Sequence, residues 1–514
     1  MADRIVSGER SLALEDFRRR VLKAAGGLAA LGVGAGDAVA ILLRNDFAFL
    51  EASLGAATLG AYAVPVNWHY KAQEAGHVIE DCGAEVVVVH ADLCHQIGPE
   101  IVAQRELLVV ATPPEVARAY GLDAGVCVVP PGATDWERFL AQAEPWRGAA
   151  GPGRPSMIYT SGTTGRPKGV RRAPPAGPGQ AQAISALRAE AFGVRTGMRS
   201  VITGPLYHAA PNAYAFSALQ AGGEMVLQPR FEAEQLLALI EAHGITHMHL
   251  VPTMFVRLLR LPERVRRGYD LSSLEWVVHG AAPCPPALKG RMIEWLGPVI
   301  HEYYGSTESG VITVCDSAQH LARPGTVGRA VAGATVRIYG DQGGDQGGAL
   351  GPGEVGEIYV RHHGIPDFTY HRLDGERRAI ERDGLITLGD MGYLDEDGYL
   401  YLCDRKTDMV ISGGVNIYPA EIEAVLMEMP GLKDCAVFGV PDEEYGEALA
   451  AVIEPEPEAR LTPESVRAYL LERQAGYKTP KLIEFGRDLP REDSGKIFKR
   501  RLRERHWRGT GRSI

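Results

Sequence analysis

No pair of cysteines in this 514-residue chain has the C-x-x-C spacing of a zinc or dithiol site. The seven cysteines (Cys82, Cys94, Cys127, Cys284, Cys315, Cys403 and Cys435) are scattered and odd in number. They exclude a fully paired disulfide framework and point to a reducing, cytoplasmic setting. Long apolar runs are also missing. Glycine and charge interrupt each one well short of a membrane span. Met1 to Arg10 lacks the apolar segment of a secretory signal. Positive charge is not in excess: 54 basic residues against 64 acidic ones leave −10, which argues against wholesale nucleic-acid binding. The local exception is Lys496, Lys499, Arg500, Arg501, Arg503, Arg505, Arg508 and Arg512. These read as a solvated helix face and a frayed tail, with attraction of a phosphorylated substrate as the sharper alternative.

What is present is an ordinary globular composition, 45 % hydrophobic and 23 % charged, long enough for two or more domains. Leu14 to Leu31 carries apolar residues at helical spacing, and Gly32 suits its end. The runs Ala38–Leu43 and Glu85–Val89 read as buried strands, and Phe47–Leu59 as a helix. A second cycle follows, with Val201–Thr203, the helix Glu232–His243 and the strands His247–Val251 and Trp276–His279. Such alternation implies α/β layers with largely parallel sheets. Three loops are expected at carboxyl ends of strands, where ligands gather: those after Tyr159, His279 and Tyr303. From about Pro324 short strands and glycine-rich turns take over, and Asp341–Gly348 is a tandem repeat that reads as an exposed loop. A strand Met409–Ile411 and a helix Pro419–Met429 open a final region of α+β texture. The boundary is placed at residues 404–408.

The most informative segment is Tyr159-Thr160-Ser161-Gly162-Thr163-Thr164-Gly165-Arg166-Pro167-Lys168-Gly169-Val170. Its glycines let backbone N–H groups turn around an anion, its hydroxyls donate hydrogen bonds, and Lys168 adds a positive charge. That is the chemistry of a polyphosphate cradle. It is not a G-x-x-x-x-G-K-[ST] loop, because Pro167 precedes Lys168 and Gly169 follows it.

In Glu302–Ser309, Glu308 suits Mg²⁺, Thr307 a phosphate, and the Tyr304 ring a base. Asp390 lies between Gly389 and Met391-Gly392 on an expected loop, where its carboxylate could accept ribose hydroxyls. Arg405 could support the same sugar. Lys496 follows Ser494-Gly495 near the chain end and gains weight only beside the other segments.

Together and in this order, these segments resemble the adenylate-forming superfamily of acyl-CoA synthetases, adenylation domains and luciferases. The resemblance runs from Gly36-Asp37 to Lys496. It rests on the first loop, Tyr304-Gly305-Ser306-Thr307-Glu308-Ser309, Leu388-Gly389-Asp390, the stretch Asp404–Glu423 and Pro490–Lys496. It implies a large N-terminal domain (1–404) of layered, largely parallel α/β sheets plus a distorted barrel. A small mobile α+β domain (408–514) would follow a hinge at 404–408. It also implies two half-reactions: a carboxylic acid and ATP-Mg give acyl-AMP and pyrophosphate, and coenzyme A then takes the acyl group and releases AMP.

Carried over residue by residue, Thr160, Ser161, Gly162, Thr163, Thr164, Gly165 and Lys168 would hold phosphates, with Thr160 and Glu308 on Mg²⁺. Gly280, Ala281, Ala282 and Tyr304 would bracket adenine, and Asp390 and Arg405 would fix the ribose. Lys496 would act in the first step, with Thr307, Glu308 and His208 as the other catalytic candidates. Gly413 and Gly414 would later line the thiol channel. Tyr207, His208, Gly305 and Ser306 would face the acid, with His208 as a gate.

The small residues Ala209, Ala210 and Ala213 suggest a roomy apolar pocket for a medium or long chain or a bulky cyclic acid. Thr407, at the hinge position, and Leu388, before Gly389-Asp390, depart from the family's usual residues. The expected partners are the acid, ATP and coenzyme A, with no nucleic acid and a homodimer as the assembly. Two other readings remain open: an adenylating enzyme that loads a carrier protein or stops at acyl-AMP, and a nucleotide-binding protein without catalysis.

Overall fold

The computed structural model describes residues 3–161, 167–340, 348–413, 415–442, 444–491 and 497–508. The apolar runs near the N-terminus form fully buried strands, Ala38–Leu42 and Val86–His90. They pair in parallel with each other and with Tyr62–Pro65 and Glu106–Val110, and Thr134–Asp135 closes the edge. Strands covered on both faces need apolar residues at every position, so the sequence shows runs rather than alternation. The helix Leu14–Ala30 packs on Phe47–Thr58, with Glu15 and Asp16 in its first turn, where acidic groups suit the helix dipole.

Among the described residues a sheet of fourteen strands carries the rest of the large domain. One half is parallel: Glu224–Leu227, Arg199–Ile202, His247–Leu250, Trp276–His279 and Ile300–Ser306 lie side by side. The other half is antiparallel, through Gly310–Cys315, Thr326–Ala330, Tyr399–Arg405, Leu385–Leu394, Gly356–His362 and Ala334–Tyr339. The change of texture expected at Pro324 thus begins at the hairpin after Ser306.

A separate three-stranded antiparallel sheet, Phe368–Tyr370, Pro167–Arg172 and Ile158–Ser161, packs against this half. They share a core that includes Val170, Ile312, Ile358, Phe368 and Leu400. No ladder joins the two sheets among the described residues, so the expected distorted barrel is held by side chains on that side.

The structure corrects two placements. The strand before the first loop is one arm of an antiparallel hairpin, not the end of a parallel strand. Asp390 lies within the strand Leu385–Leu394, not on a loop. In the first case the apolar residues before the loop gave no sign of their partner. In the second, Gly392 marked a close approach of strands: a side chain there would stand 2.2 Å from the Tyr401 carbonyl oxygen.

Beyond Arg405 the strands belong to a different sheet of a smaller domain. Its five strands are Val415–Ile417, Val410–Ser412, Gly446–Pro455, Leu432–Asp442 and Leu482–Phe485. The helices Pro419–Leu426 and Pro463–Leu471 share one core with it. Leu502, on the helix Lys499–Trp507, packs on a second cluster that holds Phe438 and Leu489. The repeat at 341–347 lies outside the described residues.

Candidate active site

A cleft of about 1460 Å³ lies at the carboxyl edge of the parallel half-sheet. Because Arg199–Ile202, His247–Leu250, Trp276–His279 and Ile300–Ser306 run in parallel, the segments that follow them emerge on the same side. Gly204, Val251, Ala281 and Thr307 all reach the cleft wall in this way.

At one end the hairpin Ile158–Ser161/Pro167–Arg172 sets Thr160 opposite Lys168. Thr160 Oγ1 donates to Glu308 Oε1 at 3.3 Å, and the Tyr370 hydroxyl donates to the same oxygen at 3.2 Å. Glu308 is held from behind. Its N–H donates to Ser306 Oγ at 3.0 Å, and Arg172 donates to the carbonyls of Thr307 and Glu308. Burial pulls the Arg172 guanidinium down to about 10, although Asp367 and Glu308 act the other way. Lys168 pairs with Glu376 and sits 5.4 Å above the Tyr370 ring centre. Partial burial draws its ammonium below the usual lysine range, against the pull of Glu308.

A hydroxyl, a carboxylate and a phenol oxygen make an all-oxygen set that suits Mg²⁺ rather than a thiophilic metal. Among the described residues no group of three histidine, cysteine or acidic side chains could hold a metal by itself. Gly162, Thr163, Thr164 and Gly165 lie outside the described residues, and Ser161 is described for its backbone only.

The second group follows from strand register. Asp390 stands directly opposite Arg405 in the ladder between Leu385–Leu394 and Tyr399–Arg405. Arg405 Nε meets Asp390 Oδ1 at 2.7 Å, and its Nη1 donates to the Leu388 carbonyl at 3.0 Å. The buried Tyr304 hydroxyl donates to Asp390 Oδ2 at 2.8 Å. Burial opposes the Arg405 charge, but Asp390, Tyr304, Asp408 and Glu308 together raise the guanidinium pKa. Burial, then Asp390, raises the Tyr304 phenol well above its ordinary value, so it donates as a neutral group.

Nearby, a side chain at Gly280 would meet the Tyr303 ring at 2.7 Å, so only glycine fits. Ala281 has a φ of 67°, a left-handed conformation rare for a residue with a Cβ, and it faces the cleft. Ala282 stands beyond it, half-buried, off the cleft wall.

Two segments of the chain match known families. Residues 2–366 match the family described as AMP-binding enzyme, and 421–496 match the AMP-binding enzyme C-terminal domain. The chain belongs to the AMP-binding enzyme family. A feruloyl-CoA synthase of Amycolatopsis sp is 34 % identical over 512 residues, 97 % of this chain and 94 % of that one. The fatty acid–[acyl-carrier-protein] ligase ScoC of Streptomyces coeruleorubidus is 31 % identical over 519 residues, 98 % and 93 % of the two chains. The amide bond synthetase McbA of Marinactinospora thermotolerans superposes with a TM-score of 0.83 at 26 % identity, covering 99 % of this chain and 97 % of its own. The protein is thus an AMP-forming acid–thiol ligase of the acyl-CoA synthetase type, and it draws on ATP, Mg²⁺ and coenzyme A.

The far half of this AMP-binding enzyme's cleft is apolar. His208 caps the helix Ala209–Ala221 with extended backbone and lies on the Tyr207 ring at 4.3 Å between centres. His208, Ala209, Ala210, Ala213 and Phe216 line the cleft, as do Gly305 and Ser306. Tyr207 itself is buried, edge-on to Trp68 at 4.6 Å, and is not on the cleft wall. Asn212 is buried too, its amide donating to the Leu206 carbonyl at 2.9 Å, so it locks the helix entry. Below lies a group of rings, Phe192, Tyr214, His249 and Tyr303. His249 Nε2 is 3.2 Å from the Tyr303 hydroxyl, and burial holds its pKa down at about 4.

Sequence reasoning missed Arg172, Tyr370 and Glu376. The latter two reach the hairpin from about 200 residues away, through the pairing of Phe368–Tyr370 with Val170–Arg172. No local motif announces that pairing. Arg172 stood two residues beyond the glycine-rich motif, and its burial was the signal lacking.

In the smaller domain Gly413 has a φ of 58°, and its N–H donates to the Tyr445 carbonyl at 2.9 Å. It does not line the cleft in this arrangement. Around it Ile411, Val415 and Tyr445 are 50 %, 46 % and 42 % exposed. Gly414 and Lys496 lie outside the described residues. At the domain junction Arg503 donates to the Thr407 carbonyl at 2.9 Å, and Ala420 N–H donates to Asp404 at 2.8 Å. All seven cysteines are free, and no helix among the described residues is long and apolar enough to cross a membrane.

Proposed function

We propose that this enzyme is a cytoplasmic acid–coenzyme A ligase for a medium or long-chain or bulky cyclic carboxylic acid. One observation carries the reading. The oxygen set around Glu308 and the Asp390–Arg405 pair open into the same cleft as an apolar wall reaching from His208 to Phe216. A nucleotide and an apolar acid therefore have adjoining places.

In the first step a carboxylate oxygen bonds to the α-phosphorus of ATP, and the bond to the bridging oxygen breaks to release pyrophosphate. Thr160 and Lys168, with Ser161 to Gly165, hold the phosphates. Asp390 accepts from the ribose hydroxyls while Arg405 keeps its carboxylate ionised. Gly280, Ala281, Ala282 and Tyr304 bracket the base. Thr160 and Glu308 would hold Mg²⁺, which would supply charge neutralisation for the phosphates. Lys496 aims its positive charge at the carboxylate and α-phosphate oxygens, because two anions must meet in the transition state. Thr307 donates to a phosphate oxygen, and His208 gates the acyl side.

In the second step the thiol sulfur bonds to the acyl carbon and AMP leaves. The smaller domain turns about residues 404–408, withdraws Lys496 and brings Gly413 and Gly414 over the cleft. The uncovered apolar residues around Gly413 support this, since a surface that docks in another state is exposed in this one. A second reading, transfer to a carrier protein, draws support from the similarity to a carrier-protein ligase.

The test is a panel of acids with ATP-Mg, followed by pyrophosphate release. Coenzyme A or a carrier protein is then added, and AMP and thioester are measured by mass spectrometry. Release of pyrophosphate with aliphatic or cyclic acids and thioester with coenzyme A is expected. A preference for acetate by kcat/KM would overturn the acid class, and thioester on a carrier alone would favour the second reading.

A further inference from the structure

Two helices wall the apolar half of the cleft. Pro178–Phe192 contributes Ala181, Ile184 and Arg188, and Ala209–Ala221 contributes Ala213, Phe216 and Gln220. Spacings of three and four residues place each set on one helix face. The edge-on contact of Phe192 with Tyr214, 5.8 Å between centres, joins the two helices one turn from Arg188. Gln220 is exposed at the end of its helix away from His208. Gln220 is twelve residues beyond His208 along the same helix, a rise of about 18 Å.

Arg188 is the anomaly in this wall. Its Nη1 donates to the Gln220 side-chain oxygen at 2.9 Å. Among the described residues no carboxylate pairs with it. Burial lowers its pKa with no neighbouring anion to restore it. The charged groups at the other end of the cleft have counter-charges: Lys168 has Glu376 and Arg405 has Asp390. A half-buried guanidinium paired only with an amide is a poor choice for a wall that holds a purely apolar tail. Its planar fork matches a carboxylate, and the Gln220 amide can add a further donor.

We propose that Arg188 and Gln220 form a distal subsite that binds a second carboxylate at the far end of the acid, so that the enzyme prefers acids carrying a remote oxyanion. This rests on the acid-ligase reading and narrows its substrate class. The carboxylate near His208 is activated while the other stays bound at the rim. An extended chain advances about 1.2 Å per bond, so a span of about 18 Å corresponds to a diacid of roughly ten to sixteen carbons.

The experiment compares saturated α,ω-diacids of that length with their methyl half-esters and with monoacids, as kcat/KM for pyrophosphate release. The wild type is expected to favour the diacid over the half-ester by about tenfold or more. Arg188→Gln is expected to remove that preference by lowering diacid kcat/KM to that of the half-ester, and Arg188→Lys to restore part of it. Equal use of diacid and half-ester by the wild type overturns the proposal. So does a preference that survives in Arg188→Gln. Either result leaves pyrophosphate release with monoacids intact, whereas no release with any acid would overturn the ligase reading itself.

Discussion

The nucleotide end and the acyl end of this cleft are built on opposite principles. At the nucleotide end each charged group has a partner of the other sign or a set of hydrogen bonds: Asp390 with Arg405 and Tyr304, Glu308 with Thr160 and Tyr370, Lys168 with Glu376. Strand registers place these groups, so their spacing changes only if a ladder breaks. At the proposed acyl end the wall is one face of each of two helices, with Ala209, Ala213 and Phe216 on it. The difference explains how relatives that share a nucleotide site can act on different acids. Polar geometry tolerates little change, whereas apolar walls accept many volumes.

The largest test of this contrast is Lys496→Ala. It is expected to lower acid-dependent pyrophosphate release about 100-fold or more, while preformed acyl-AMP still reacts with coenzyme A. Equal loss of both half-reactions would defeat the domain rotation. Next, Asp390→Asn should raise the KM for ATP by about tenfold or more and leave the ranking of acids unaltered, because it strips a charged partner from Arg405. A changed acid ranking would mean the two ends are coupled. Ala213→Phe should do the converse. It fills the acyl wall, so bulky cyclic acids lose about tenfold in kcat/KM while the KM for ATP stays level.

Smaller effects read the supports beneath each end. His249 lies under the acyl wall with its folded pKa at about 4, below the 6.5 of a free imidazole. Between those values the unfolded chain binds a proton that the folded chain refuses. Stability is therefore full above about pH 6.5 and falls as the pH drops toward 4. His249→Phe should reduce that slope by up to about 1.4 kcal/mol per pH unit, measured from denaturant unfolding at several pH values. An unchanged slope would show that His249 is not a source of it. At the nucleotide end Ala281→Gly releases a left-handed Cβ and should stabilise by about 1 kcal/mol, a rise in Tm of about 2 °C. A fall in Tm would show that the Ala281 methyl contributes packing worth more than the strain.

The candidates for the nucleotide end could be named before any fold was known. Glu308, Asp390, Arg405 and the Thr160–Lys168 loop each sit in a short segment whose composition suits one task. Their neighbours were less legible. Tyr370 and Glu376 look like ordinary strand and helix residues, and only a pairing 200 residues long brings them to the hairpin. Tyr207 illustrates the opposite case. It adjoins His208 in sequence, yet the chain turns it into the core against Trp68.

The amino-acid sequence alone determined the family and the α/β layering, and it supplied the residues proposed to meet phosphate and ribose. Local chemistry suffices there, because glycine, hydroxyl and carboxylate at fixed spacing carry their function within a few residues. The tertiary structure alone decided that Asp390 faces Arg405, that Ile158–Ser161 pairs in antiparallel fashion with Pro167–Arg172, and that Arg188 meets Gln220 and, among the described residues, no carboxylate. Those facts depend on which strands and helices become neighbours. That choice is made by burial of apolar faces far apart in the chain, and no short segment records it.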